Sequence, residues 1–244
     1  MSGDEAGPDT GLARAERRSG VTIHLDEPRW NEKLLWAVAW HLLNGWTRLW
    51  FRAEYHGLEH LPTDGPYILA PVHRSNVDFA LAACITRRRQ RFMAKDTLWK
   101  PGFGTLWSAL GGIPVARGTA DREALAASQT VLEHGEPLVM FPEGTRQSGP
   151  VVEELFDGPA FVQARTGVPI IPVGIGGSEA AMPKGAKMVR PRKVVVVVGA
   201  PLDAPTVEGA KARRSAVRAQ TASLKVRVQE LFDEAQRRAG TPNP

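Results

Sequence analysis

The sequence predicts an α/β fold: a single domain with a mixed, largely parallel sheet flanked by helices and preceded by an amphipathic helix. Short apolar runs alternate with helical patterns along most of the 244 residues, which is typical of parallel strands joined by helical crossovers. Five consecutive valines, Val194 to Val198, indicate a strand buried on both faces. The chain is long enough for one such domain, predicted at residues 53–240, plus a small appendage.

A flexible leader is expected at residues 1–28, which are rich in Gly, Asp, Arg and Pro and show no apolar periodicity. This segment lacks the charged start, apolar middle and small-residue cleavage site of a secretory signal, so we do not expect export. The single cysteine, Cys84, excludes an intramolecular disulfide and is expected in the core.

Residues 29–52 have the pattern of an amphipathic helix. As a helix, residues 31–52 would be about 33 Å long, enough to cross a bilayer, but burying Arg48 near the middle would cost about 3 kcal/mol. We therefore expect it to lie in a membrane interface, at the cytoplasmic face, making the protein peripheral or monotopic. Packing on the protein's own sheet is the alternative. The apolar arc and its neighbouring indoles, which suit such an interface, are Leu35, Trp36, Val38, Trp40, Leu42, Trp46, Leu49 and Trp50.

The elements that follow are read from apolar runs bounded by turn residues and from helical periodicity. Strands are predicted at 53–60, 67–72, 92–94, 113–116, 137–141, 168–175 and 193–199, and helices at 79–85, 99–112, 121–134, 159–165 and 206–238. Ser75 or Asn76 is expected to cap the helix at 79–85. Pro169 and Pro172 favour a short or edge position for their strand, because proline cannot donate to a sheet ladder. The last helix is expected to pack through Leu224, Val228, Leu231 and Phe232.

His73 and Asp78, separated by four residues, form the first candidate site, on the loop between strand 67–72 and helix 79–85. Such loops lie at the carboxyl edge of a sheet, where α/β folds place ligands and chemistry. An imidazole exchanges a proton near neutral pH, and a carboxylate can fix its tautomer and stabilise its charged form. The pair therefore suits a general base with an orienting partner; a surface or capping pair is the alternative.

The second candidate site is the run Pro142 to Arg146, PEGTR, which follows strand 137–141 directly. Gly144 allows close approach of the backbone to a ligand, and successive free N–H groups can cradle an oxyanion or phosphate. Glu143 would accept a hydrogen bond from a hydroxyl, and Arg146 would grip a phosphate with two parallel bonds. An ordinary turn is the alternative.

Net charge of +5 favours an anionic partner: a nucleic acid, an anionic membrane surface or a phosphorylated substrate. The run Arg87, Arg88, Arg89 and Arg91 is either a solvated face or a contact for anionic headgroups, worth about 1 kcal/mol per charge. The six histidines show no paired ligand spacing with Cys or carboxylates, and no phosphate loop or three-glycine dinucleotide turn occurs, so we expect neither metal nor cofactor.

Four stretches resemble, in order and spacing, the blocks of glycerolipid acyltransferases of the 1-acylglycerol-3-phosphate acyltransferase type. They are VHRSNVDF at 72–79, GGIPVARG at 111–118, FPEGTR at 141–146 and VPIIPV at 168–173, within a resemblance that spans about 52–199.

The resemblance implies acyl transfer from a thioester, acyl-CoA or acyl carrier protein, to the free hydroxyl of a lysophospholipid at a membrane surface. It implies that His73 is the general base and Asp78 its partner. Arg117 and Arg146 match the family's phosphate-binding positions, and Glu143, Gly144 and Thr145 match its acceptor-binding turn. Lys95 would serve either the phosphate or the oxyanion.

Other functions remain as alternatives. The acceptor would be 1-acylglycerol-3-phosphate, giving phosphatidic acid, or another lysolipid or a glycolipid. A hydrolase using the same pair lacks the Gly-x-Ser-x-Gly elbow. A non-catalytic module would bind anionic lipid through the Trp-rich helix; nucleic acid is not expected, because the aromatic residues fall on an apolar helical arc.

Overall fold

The computed structural model describes residues 30–95, 107–108, 110–115, 120–206 and 210–243. The helices are α1 (Trp30–Trp50), α2 (Asp78–Ala83), α3 (Ala120–Glu133), α4 (Gly158–Thr166), α5 (Ser178–Ala181) and α6 (Ala210–Ala239), with a 3₁₀ turn at Leu58–His60. The strands are β1 (Glu54–His56), β2 (Ile68–Pro71), β3 (Arg91–Lys95), β4 (Gly112–Val115), β5 (Leu138–Val139), β6 (Ile170–Gly176) and β7 (Val195–Val198). Most of the predicted helix at 99–112 lies outside the described residues.

The strands form one sheet in the order β1-β7-β6-β2-β5-β3-β4. All neighbouring pairs are parallel except β6 and β7, which are antiparallel. The predicted α/β class with a mixed, largely parallel sheet is therefore confirmed. The valine run also behaves as predicted, since β7 lies inside the sheet and its four residues are buried.

The edge position predicted for the proline-containing strand is wrong. Strand β6 lies between β7 and β2, and all seven of its residues are buried. Pro172 is tolerated because the pairing with β7 starts one residue later, at Val173 opposite Val198. The carbonyl of Pro172 accepts the N–H of Gly199, at 2.9 Å, and the reciprocal bond is absent because proline has no N–H, so the proline costs only one hydrogen bond, at the end of the ladder.

Helix α6 packs directly on the backbone of β6. A Cβ atom at Gly174 would lie 2.2 Å from the backbone of Leu231, and one at Gly176 would lie 2.3 Å from the backbone of Ala235. The two glycines thus leave the space that the helix occupies. On the facing side of α6, the predicted packing residues Leu224, Val228 and Phe232 are buried.

Helix α1 uses its two faces differently. On the inner face the indole N–H groups of Trp36 and Trp40 donate to the carbonyls of Arg87 and Thr86, at 3.0 and 2.8 Å, and Thr47 is buried. The indole N–H groups of these two tryptophans are therefore bound by the domain, and their predicted place in a membrane interface stays a prediction. The outer face is apolar and exposed, and it comprises Trp30, Leu34, Leu35, Val38, Leu42, Trp46, Leu49 and Trp50. Within the described part of the chain, no helix combines the length and apolarity needed to cross a bilayer.

Three of the four arginines in the run at 87–91 form hydrogen bonds or ion pairs within the protein. Arg88 donates to the carbonyls of Pro62 and Gly65. Arg89 and Arg91 both pair with Glu136. Guanidinium groups with several donors satisfy loop carbonyls and carboxylates in this way, so neither of the two predicted roles, solvated face or headgroup contact, describes these three side chains.

Candidate active site

Strand register brings the two candidate loops together. Leu69 of β2 lies opposite Val139 of β5, and the two strands are parallel. His73 and Glu143 each follow these residues by four positions, so both leave the sheet at the same edge and at the same level. The backbone N–H of His73 accordingly donates to Glu143 Oε2 at 2.7 Å.

The predicted His73–Asp78 pair forms: Nδ1 of the ring lies 3.1 Å from Asp78 Oδ2. The His73 side chain is mostly buried and that of Asp78 fully buried. No described residue forms a hydrogen bond to the other ring nitrogen, Nε2. A ring with Nδ1 directed at the carboxylate keeps Nε2 as the nitrogen that can accept a proton.

Asp78 also organises the loop backbone. Its Oδ2 accepts the N–H groups of Arg74, at 2.7 Å, and Ser75, at 2.6 Å, in addition to the ring. Its Oδ1 is buried and has no hydrogen-bond partner in the described structure. The helix cap predicted at Ser75 or Asn76 is displaced, because α2 begins at Asp78 and its N-cap is Val77, which makes no side-chain cap.

Two phenylalanines enclose the imidazole. The ring of Phe141 lies 4.1 Å from that of His73 between centroids, and the ring of Phe79 lies 5.4 Å away in an edge-on arrangement. Phe79 is partly exposed, at the first turn of α2. The His73 imidazole therefore has apolar walls, which exclude water and strengthen the electrostatic interaction with Asp78.

The PEGTR turn differs in part from the prediction. Gly144 has a φ of 65°, and a Cβ atom there would lie 2.7 Å from the ring of Phe156, so the turn requires glycine. The N–H groups of Gly144 and Thr145 donate to the carbonyls of Phe141 and Glu143. These two groups are not the free donors that we expected for an oxyanion or phosphate, because a tight turn satisfies them internally.

Of the three predicted cationic residues, the structure describes the side chain of Arg146 but not those of Lys95 and Arg117. Arg146 is half-buried on the turn, and its guanidinium has no ion pair or hydrogen bond with any described residue. The next residue, Gln147, donates its N–H to the His73 carbonyl at 2.9 Å. This hydrogen bond joins the Arg146 turn to the loop that carries the candidate base His73, called the base loop below. Lys95 ends β3 opposite Val115 of β4, with its side chain not described. Arg117 lies outside the described residues, so its predicted phosphate contact stays a prediction.

Arg74, which was not predicted as a site residue, also belongs to the site. Arg74 is fully buried, and its Nη1 donates to Glu143 Oε1 at 2.6 Å. Both Glu143 oxygens are thus bound to the loop that carries His73, and contact of Glu143 with an acceptor hydroxyl stays a prediction. The sequence alone carried no signal for this ion pair, because the pairing of β2 with β5, which places the two charged residues at one edge, is seen only in the structure.

Fold and site together define a class: an α/β protein with a His–Asp pair at the carboxyl edge of a mixed sheet. A family model described as Acyltransferase matches residues 52–176, about half of the chain. The chain belongs to this Acyltransferase family.

Named relatives agree with this assignment. A 1-acyl-sn-glycerol-3-phosphate acyltransferase of Bacillus subtilis is 25% identical over 180 residues, covering 73% of this chain and 87% of the relative. The chloroplastic 1-acyl-sn-glycerol-3-phosphate acyltransferase BAT2 of Brassica napus is 26% identical over 56% of this chain, which spans only 41% of that protein. The crystal structure of the 1-acyl-sn-glycerophosphate (LPA) acyltransferase PlsC from Thermotoga maritima superposes with a TM-score of 0.66 at 25% identity, covering 90% of this chain and 87% of that one.

Proposed function

We propose that the protein transfers a fatty acyl group from a thioester to the free hydroxyl of 1-acylglycerol-3-phosphate, giving phosphatidic acid. The donor is acyl-CoA or acyl carrier protein. The observation that carries the proposal is the His73–Asp78 pair, with Nε2 free of described partners beside a turn that bears Arg146. The names of the Bacillus subtilis relative and of the Thermotoga maritima structure support the choice of acceptor.

In the proposed reaction, His73 Nε2 removes the proton from the acceptor hydroxyl as that oxygen attacks the thioester carbonyl. Asp78 holds the ring and stabilises the imidazolium that forms. The tetrahedral intermediate then collapses, the carbon–sulfur bond breaks, and the imidazolium returns its proton to the leaving thiolate. No covalent acyl-enzyme is needed, since one base serves both proton transfers.

Arg146 is the headgroup cation of this proposal. A guanidinium that has no partner among the described residues, beside the loop of His73, can take a phosphate with two parallel hydrogen bonds. Arg117 is proposed as the second phosphate ligand, and Lys95 as a ligand of the phosphate or of the oxyanion. Holding the hydroxyl against the base in this way supplies the proximity that the reaction requires.

The exposed apolar face of α1 is proposed as the contact with the membrane. Its side chains form one stripe, and the opposite face is held to the domain by Trp36 and Trp40. A helix fixed on one side and apolar on the other can lie in the interface without crossing the bilayer. The proposed location is the cytoplasmic face of a membrane, where a peripheral or monotopic enzyme meets its lipid acceptor.

The test is substitution of His73 by Ala in the purified protein, with His134→Ala as the matched control at the exposed end of α3. Acyl-CoA and acyl carrier protein donors are each assayed with a panel of lysophospholipid and glycolipid acceptors. The first variant should lose about 10²- to 10⁴-fold in rate, the contribution of a positioned base, while the control keeps its rate. Undiminished transfer by folded His73→Ala protein contradicts the proposed role. Release of free fatty acid without acceptor would indicate a hydrolase instead.

A further inference from the structure

Arg74 brings a buried charge into direct contact with the catalytic loop. Its guanidinium donates to the carbonyls of His73, at 3.3 Å, Gly149, at 3.2 Å, and Val151, at 2.9 Å. With the 2.6 Å bond to Glu143, it connects three separate segments: the base loop, the PEGTR turn and the loop at 149–152. Only the planar fork of arginine reaches all of these acceptors at once.

Glu143 extends this connection to the backbone of the base. One of its oxygens receives the Arg74 guanidinium, and the other receives the His73 N–H at 2.7 Å. The ion pair and the His73 backbone therefore share one carboxylate. Any displacement of Arg74 or Glu143 shifts the base relative to the turn that bears Arg146.

Helix α6 supports the same junction from behind. The Arg74 guanidinium lies 5.0 Å from the ring centre of Phe232, and Gln229 bonds both Pro150, at 3.0 Å, and Val152, at 2.6 Å. The loop that supplies two of the Arg74 acceptors, the carbonyls of Gly149 and Val151, is thus held by a second element.

Stability does not account for this arrangement. A buried ion pair contributes little net stability compared with well-packed apolar side chains of similar volume, because desolvating the two charges offsets their attraction. What such a pair provides is a defined geometry. Since Arg74 is sealed from solvent, its guanidinium does not contact the substrate directly.

We infer that Arg74, through its ion pair with Glu143, is a positioning residue that sets the distance between the His73 base and the headgroup cation Arg146. This inference rests on the proposed function, because it assumes that the base loop and the PEGTR turn hold one acceptor molecule. A displacement of about 1 Å between reacting groups can cost about 100-fold in rate.

The experiment compares Arg74→Met and Glu143→Gln with a matched control, Arg91→Met. Arg91 is also a buried arginine paired with a glutamate, Glu136. It lies at the start of β3, near the amino ends of the parallel strands, whereas the site lies at their carboxyl ends. Thermal unfolding and near-ultraviolet circular dichroism establish that each variant is folded. Steady-state kinetics then give kcat and the KM values for the lysophospholipid and for the thioester.

Arg74→Met is expected to lower kcat/KM for the acceptor about 30- to 100-fold, with a fall in kcat, a rise in the acceptor KM, and a donor KM within about twofold of the parent. Glu143→Gln keeps an acceptor for the His73 N–H and should lose less. Arg91→Met should stay within about threefold. A purely structural role would lower the activity of Arg74→Met and Arg91→Met alike, in proportion to folded protein.

Folded Arg74→Met protein with parental constants overturns the inference. If that variant does not fold, folded Glu143→Gln protein with parental constants overturns it equally. Failure of the proposed function is a different result, since the parent enzyme itself would then not acylate 1-acylglycerol-3-phosphate.

Discussion

Replacing two leucines on the outer face of α1 by glutamate tests the proposed membrane contact. Leu42 is 70% exposed and Leu49 is 86% exposed, so neither contributes much to packing within the domain. Transfer of a whole leucine side chain from water to an apolar phase is worth about 1.5 to 3 kcal/mol. Scaled by the exposed fractions, the pair contributes roughly 2.5 to 4.5 kcal/mol to membrane binding.

A loss of that size weakens partitioning onto vesicles by roughly 60- to 1,600-fold, since about 1.4 kcal/mol corresponds to a factor of ten. The assay is cosedimentation of the Leu42→Glu, Leu49→Glu double variant with lipid vesicles, with and without anionic lipid. The inner face of α1 is unchanged, so the melting temperature should stay close to that of the parent protein.

The matched control is Met188→Glu combined with Val226→Glu. These residues are also exposed, at 78% and 57%, and the double change alters the net charge by the same amount, but both lie outside α1. The control should bind vesicles nearly as the parent does. Equal weakening of both variants would mean that added negative charge is responsible, and unchanged binding of the α1 variant would refute the contact itself.

Two further predictions concern the interior. Gly174→Ala should destabilise the protein by about 1 to 3 kcal/mol, because its methyl group would meet the backbone of Leu231. Gly45→Ala, with open space around it on α1, should be neutral or stabilising by up to about 1 kcal/mol. Thermal unfolding measures both changes. Burial raises the pKa of the Cys84 thiol, which lies against Thr47, so little reactive thiolate forms near neutral pH. A thiol reagent should therefore label native protein far more slowly than protein in denaturant; equal rates would contradict the buried position.

The sequence was sufficient for the elements that carry the candidate site. Apolar runs ended by turn residues located β2 and β5, and the spacing of His73 and Asp78 on the following loop predicted their hydrogen bond. These features are local, because a strand, its loop and the first turn of a helix are encoded by neighbouring residues.

Features that depend on distant partners were harder to predict. Pro172 favoured an edge strand, but its tolerance depends on where pairing with β7 ends, at Val198, 26 positions later. Trp36 and Trp40 have the pattern of interfacial indoles, but the structure shows that their N–H groups donate to carbonyls of the segment after α2. Periodicity separates apolar from polar positions, but it does not say which apolar face meets the protein and which meets the surroundings.

Arg74 illustrates the same limit with a charge. An arginine beside a polar loop is normally solvent-exposed, since burying it unpaired is costly. Here Glu143, 69 positions away, offsets that cost because β2 and β5 are adjacent, parallel and in register at Leu69 and Val139. The candidate site is therefore positioned by the sheet: the pairing that aligns two apolar strands also fixes where His73, the Arg74–Glu143 ion pair and the Arg146 turn leave the edge. Hydrogen bonds between the two loops hold these residues in one arrangement, and such preorganisation is what the proposed reaction requires.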